Sequence, residues 1–274
     1  METIMSVKKI LSGFALLFLL GSGIVVAADF DKGLKALQSE DFKTALLEWT
    51  PLAKKGNADA QNALGYMYRS GQGVLKNDKT AVKWWTMAAK NGNADAQNAL
   101  GFMYNTGRGV SKSYKTALKW FTLSAEQGDA VAQTRLGIMA EAGHGRPQNN
   151  REAVRWFTLA AEQGNSTSQH RLGLMYYYGN GVKKNYKTAL KWNTLAAEQF
   201  YLQAVTMMGM FYVAGQGVVV DNERGYMWFI IGDLMGNKLA GEHKKMFASE
   251  MTSTQRSNSM DLALACMTNG LVDC

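Results

Sequence analysis

Apolar and small residues fall at helical spacing in short blocks along the chain, and the blocks themselves return every 36 positions. The stretch ALGYMYRSGQGVLKNDKTAVKWWTMAAKNGNADAQNALGFMYNTGRGV states the pattern almost twice. Leu64-Gly65 returns as Leu100-Gly101, Tyr68 as Tyr104, and the Gly71/Gly73 pair as Gly107/Gly109. The Gly65 position continues through Gly137, Gly173 and Gly209. Ala45 continues through Ala81, Ala117, Ala153 and Ala189, with Gly225 in sixth place, and an aromatic keeps the same clock at Trp84, Trp120, Trp156, Trp192 and Trp228. A fixed period of roughly 20–50 residues marks stacked supersecondary units, none of which can bury its apolar face alone.

Each unit predicts two helices. The second is preceded by Asp41, Asn77, Ser113, Asn149, Asn185 and Asp221, all side chains able to accept from first-turn amides. It ends at Gly56, Gly92, Gly128 and Gly164, where a left-handed C-cap suits glycine. The first helix covers segments such as ADAQNALGYMYRS and stops at a Gly-x-Gly-Val loop. Strand signals are absent, and two prolines in the whole chain interrupt little. Small residues at Ala60, Ala96, Ala132, Ser168 and Ala204, with the glycine ladder, leave one face of the first helix bare for close approach of its partner. The Trp, Leu and Met positions are expected to fill the space around it.

The pattern A-x-x-x-L-G-x-x-Y-x-x-G-x-G-V, followed by K-A-x-x-W-x-x-x-A-A-x-x-G, resembles the Sel-one-like repeat family, relatives of the tetratricopeptide repeat. Departures are Ala140 for the tyrosine, Asn193 for an aromatic, Phe200 for a capping glycine, and Lys244/Lys245 where Leu-Gly belongs. The resemblance implies an all-α, right-handed α/α solenoid acting as a protein-interaction scaffold, in bacteria often exported and tied to envelope assembly, signalling or host contact. The expected organisation is a signal peptide at 1–28, a half repeat at 29–56, five repeats at 57–236, and degenerate capping helices at 237–274 with a closing helix near Thr252 to Cys266.

Lys8 and Lys9 precede an apolar run from Ile10 to Val26 that closes on small residues, as in a cleavable signal peptide. Cleavage after Ala27 or after Ala28 fits equally, and no cysteine at the junction invites a lipid anchor. A periplasmic or secreted protein is expected. Loss of Glu2, Lys8 and Lys9 takes the formal charge from +8 to +7. The only two cysteines, Cys266 and Cys274, sit in the last nine residues and are expected to pair in an oxidising compartment.

Catalytic constellations are missing. Some members of the family carry a β-lactamase label, and a β-lactamase-like or cell-wall-active enzyme is therefore the alternative to a scaffold, as is a regulator docking on an envelope sensor kinase. Yet the only Ser-x-x-Lys spacing is Ser6 to Lys9, inside the signal segment. His144, His170 and His243 lack the spacing or cysteine partners of a zinc site, so neither metal nor cofactor is expected. The Gly-x-Gly loops follow helices, not strands, and read as turns rather than phosphate cradles. Lys79/Lys83, Lys115/Lys119, Arg151/Arg155 and Lys187/Lys191 form a basic ladder on the second helices. With no aromatic stacking platform beside it, nucleic acid is not the expected partner. A solvated face is expected, with an anionic envelope surface as the functional version.

By resemblance, a solenoid of this kind binds a protein or peptide on a concave side lined by first helices, and a monomer is expected. Transferred to this chain, the lining positions are Asn62, Tyr66 and Arg69 in one unit and Asn98, Phe102 and Asn105 in the next. Thr134, Ile138 and Glu141, then His170, Leu174 and Tyr177, then Thr206, Met210 and Val213 continue them. Spaced i, i+4, i+7, each set shares a helix face. Helical spacing alone leaves open whether the ladder Tyr66, Phe102, Ile138, Leu174, Met210 is groove or core. The Asn62 and Asn98 amides favour a groove, being awkward in a core and useful toward an extended ligand.

Overall fold

The computed structural model describes residues 28–272 and residue 274, so the expected signal peptide lies outside the described residues up to its last position. Among the described residues the chain forms fourteen α-helices and no strand. They run as hairpins: α1 (Phe30–Gln38) with α2 (Phe42–Lys54), α3 (Ala58–Ser70) with α4 (Asp78–Lys90), and α5 (Ala94–Thr106) with α6 (Tyr114–Glu126). Next come α7 (Ala130–Ala142) with α8 (Asn150–Glu162), α9 (Ser166–Tyr178) with α10 (Tyr186–Ala197), and α11 (Leu202–Ala214) with α12 (Asn222–Leu234). The chain closes with α13 (Lys238–Ala248) and α14 (Ser253–Thr268). Each of α1 to α12 packs most closely on its hairpin partner and next on the neighbouring helix, while α13 and α14 both pack on α12, and the stacked hairpins make the molecule an α/α solenoid. No described helix is long and apolar enough to cross a membrane.

The caps act as the sequence suggests. Asp41, Asn77, Ser113, Asn149, Asn185 and Asp221 each accept the backbone N–H three residues on, at 2.9–3.2 Å. The loop glycines serve contact as well as turning. Gly109 sits at φ +68°, and a Cβ there would come within 2.5 Å of the Asp78 carbonyl at the start of α4, so the loop of one hairpin seats on the preceding one.

The hairpin core differs from expectation in one respect. The deepest side chain under the glycine ladder is not the Trp84, Trp120, Trp156 series but the residue after it: Trp85, Phe121 and Phe157, each at most 1% exposed. One residue further along an α-helix turns about 100°, and that rotation aims the second aromatic at the glycine of its own hairpin. A Cβ on Gly101 would come within 2.6 Å of the Phe121 ring, and one on Gly65 would collide with the Trp85 indole. The Trp120 and Trp156 rings are half-buried and pack instead against the cluster formed by the preceding hairpin's second helix and their own hairpin's first helix. They join units, while the buried aromatic closes each hairpin. Burying such a ring contributes about 1.5–3 kcal/mol.

One hairpin breaks the rule. Beneath Gly173 the buried residue is Asn193, fully enclosed, with its Nδ2 donating to the Ala189 carbonyl at 2.9 Å and its Oδ1 2.8 Å from His170 Nδ1. At Phe200, where other units use glycine, the backbone takes φ +60° with a bulky side chain, a conformation of appreciable strain. The end of the stack is sealed by α13 and α14, which cover α12 so fully that Gly225 to Gly232 are all buried. Thr252 starts α14 with a capping box to Gln255, and Cys266 and Cys274 form a disulfide with their Cα atoms 5.5 Å apart.

Candidate functional site

First helices of neighbouring hairpins can meet directly, as α3 does α5. Two clefts lie across first helices. The larger, about 410 Å³, lies across α9, α11 and the start of α13. Leu174, Leu202, Met207, Met210 and Leu239 line it, with His170, Thr206 and His243 among the polar groups. The smaller, about 120 Å³, lies across α3, α5 and α7 and is lined by Tyr66, Arg69, Asn98, Ala99, Phe102 and Arg135.

The residues expected to line a groove divide into tiers. Tyr66 is 37% exposed, whereas Phe102, Ile138, Leu174 and Met210 are half-buried, so the ladder is neither sealed core nor free surface. Tyr66 rests edge-on against Trp85, with centroids 5.2 Å apart, and its hydroxyl is pushed up to about 12, by burial first and the Asp95 carboxylate second, with Arg69 opposing. It stays protonated at any physiological pH.

The amide tier splits in two. In the later units it is internally satisfied: Thr134 shares a 2.7 Å hydrogen bond with Ser168, His170 bonds Asn193, and Thr206 accepts from Asn237 Nδ2 at 2.7 Å. In the earlier units it is not, because Asn62 Oδ1 and Asn98 Oδ1 are buried and accept no hydrogen bond from the protein. A buried amide oxygen without a donor costs about 1–3 kcal/mol.

The last tier varies most. Arg69 lies over the Phe102 ring at 5.0 Å, Asn105 is half-buried, Glu141 pairs with Arg171 at 3.0 Å, and Tyr177 sits in an aromatic cluster with Tyr178, Tyr186 and Phe211. Arg135 is absent from the residues expected on sequence grounds. It too lies over the Phe102 ring, 5.2 Å from the centroid, so that Phe102 carries two guanidiniums. Its signal lay across units: Arg69, Phe102 and Arg135 are 33 residues apart, an oblique row over three neighbouring helices. Burial lowers the Arg135 pKa, Asp129 opposes that shift and Arg69 adds to it.

The histidines are separated in role. His144 stacks on Tyr114 at 4.3 Å in a loop, and His243 stacks on Phe229 at 5.1 Å. His170 and His243 reach the same cleft, but among the described residues no group of three His, Cys, Asp or Glu is gathered for a metal. The basic ladder is wholly exposed from Lys79 to Lys191 on the second helices, away from both clefts.

The Sel1 repeat family model matches residues 58–93, 94–129, 130–165, 166–199 and 202–231. The chain belongs to the Sel1 repeat family. It is similar to the crystal structure of a Sel1 repeat protein from Oxalobacter formigenes, at 32% identity and TM-score 0.72, over 76% of this chain and 86% of that one. It is also similar to a protective antigen present in uropathogenic Escherichia coli strains that displays the same repeat fold, at 31% identity and TM-score 0.79. That alignment covers 87% of this chain but 53% of the antigen, so the chain spans about half of that relative's length. No curated protein matches. Sel1 repeat proteins generally mediate protein–protein interaction, and both clefts are lined mainly by residues of first helices.

Proposed function

We propose that this Sel1 repeat protein is a non-catalytic, exported scaffold that holds an extended segment of a protein partner along its first-helix face. The observation that carries the reading is the pair of buried, unsatisfied amide oxygens at Asn62 and Asn98, one hairpin apart and beside half-exposed aromatics. An extended backbone offers N–H donors that suit such acceptors, while Tyr66 and Phe102 supply apolar contact. The apolar run before Asp29 supports export through a cleavable signal. The protective antigen among its relatives accords with a place in the envelope or outside the cell.

The eight exposed cations of the basic ladder favour a second, weaker contact with an anionic envelope surface. To test the main reading, a photo-crosslinking residue is placed at Tyr66 in the producing cell, with Lys119 on the opposite face as control. Capture of a defined protein from Tyr66 and not from Lys119 is the expected result. Equal capture from both, or from Lys119 alone, removes the groove reading.

A further inference from the structure

The repeat itself provides the comparison for the smaller cleft. In the α7/α9 step, Arg171 reaches back to Glu141 and forms a 3.0 Å ion pair. One unit earlier the same two positions are Arg135 and Asn105, so the cation is present and its carboxylate is not. One unit earlier again they are Ala99 and Arg69, so Arg69 has no carboxylate there and the small Ala99 leaves open the space that a long side chain fills in later units. Neither Arg69 nor Arg135 takes part in any ion pair among the described residues, and Arg135 Nε is buried without an acceptor. A half-desolvated guanidinium lacking a counter-charge is unfavourable, and the geometry that satisfies it best is a planar carboxylate.

We propose that Arg69 and Arg135 receive the carboxylate of an Asp or Glu side chain on the bound partner, with Phe102 as the platform between them. This deepens the groove reading and rests on it. The protonated Tyr66 hydroxyl adds a donor at the cleft. The nearest internal acids do not fill the role. Asp129 caps α7, accepting from Val131 N–H and the Ser124 hydroxyl at 2.8 Å each, and Asp59 accepts from Asn93 at 2.9 Å. Asp95 stands at the opposite end of α5 from Asn105, and burial, then Asp129 and Asp59, raise its pKa. A side chain is favoured over a chain terminus because first helices continue on both sides of the cleft, α1 before it and α9, α11 and α13 after it. A chain lying in the groove passes over this point.

The test titrates the purified, isotope-labelled chain with N-acetyl-glutamate N-methylamide and follows the Nε–H signal of Arg135 by NMR. The neutral glutamine analogue and N-acetyl-glycine run beside it. A saturable shift with the glutamate compound, absent with the glutamine one and weaker with N-acetyl-glycine, is expected. Asn105→Glu should abolish the shift while leaving the melting temperature unchanged or higher, because it recreates the Glu141–Arg171 pair internally. No shift in the wild type, an equal shift with the amide, an equal or stronger shift with N-acetyl-glycine, or an undiminished shift in Asn105→Glu overturns the proposal. The spectra need no partner. An intact shift with failed crosslinking at Tyr66 would therefore remove the protein partner and keep a carboxylate site, whereas an absent shift removes the site whatever the crosslink shows.

Discussion

The two clefts of the first-helix face occupy equivalent ground on the same 36-residue template, yet one is small, cationic and aromatic and the other is three times larger and lined with leucine and methionine. Both lie across three first helices, and the larger one also borders the junction before α11, where Phe200 replaces the glycine and Tyr201 leaves the helix without a side-chain cap. The contrast lies in a few first-helix side chains: Arg69, Ala99 and Arg135 against Leu174, Met207 and Met210. The hairpin interior therefore supplies a rigid lattice, and binding chemistry is set by positions that the lattice leaves free. On the proposed groove reading, partner recognition would have two parts, a charged anchor near the N-terminal end and an adaptable apolar anchor, rich in methionine, near the C-terminal end.

The largest effect comes from breaking the lattice under both. Phe157 fills the hairpin α7/α8 between the clefts and is fully buried. Phe157→Ala is expected to cost about 3–5 kcal/mol, read as a lower urea midpoint, and to weaken binding at both clefts together. A loss confined to one cleft would show that the two halves fold with little coupling.

The next effect separates the halves. His170 borders the C-terminal cleft, 8% exposed, with its ring against Tyr201 at 5.3 Å and its Nδ1 on Asn193. Burial lowers its pKa below the ordinary 6.5; the Asn193 hydrogen bond opposes this and the Arg171 charge adds to it. The unfolded chain thus takes up a proton that the folded protein refuses. The contribution of His170 to stability is full above pH 6.5 and is lost as pH drops from there toward the depressed folded value. His170→Gln should flatten that interval in a melting-temperature series. Asn193→Ala, which strips the ring of its buried partner, is expected to cost about 1–3 kcal/mol. An unchanged slope in His170→Gln would assign the acid sensitivity to other groups.

How much of this is legible in the sequence depends on whether a feature repeats. Caps such as Asn77 and glycines such as Gly101 recur at one offset with one task, so the helices and their pairing follow from them. Adjacent aromatics, Trp84-Trp85 or Trp120-Phe121, show that an aromatic is needed but not which of the two faces the glycine, because one residue of register decides it and both are apolar. The stripe Asn62, Tyr66, Arg69 follows a single helix and is visible as i, i+4, i+7. Arg135 belongs to a row that steps between helices, and such a row requires the crossing geometry of neighbouring units. Asn193 stands out as a departure, while its partner His170 sits 23 residues earlier on another helix.

A smaller, local effect is expected from the tail. The Cys266–Cys274 bond ties the last turns of α14 to Cys274 across a separation of 8 residues, and α14 packs on α12, the partner of α11 beneath the larger cleft. On a chain-entropy account the bond contributes about 2–3 kcal/mol to the local unit. Mild reduction should raise hydrogen exchange in α12 and α14 and leave α3 to α7, with the cationic cleft, unchanged. Exchange rising throughout would mean that the C-terminal cap governs the whole stack.

The smallest effect is expected on the opposite face. Lys83, Lys119 and Arg155 are exposed, belong to no ion pair among the described residues, and point away from both clefts. Replacing all three by glutamine removes like charges spaced along one surface, and exposed substitutions of this kind stay within about 0.5 kcal/mol each in stability. Their field fades over about 8–10 Å in ordinary salt, so they influence encounter with an acidic partner more than the bound complex. The triple variant should associate more slowly at low salt, dissociate at the wild-type rate, and converge with wild type as salt rises. Asn62, Tyr66 and Phe102 replaced by alanine should do the reverse, speeding dissociation with little salt dependence, because interface losses concentrate at a few buried anchors. If the glutamine variant instead abolishes binding while the alanine variant binds normally, the partner lies on the second helices, and the contrast between the two clefts describes packing rather than recognition.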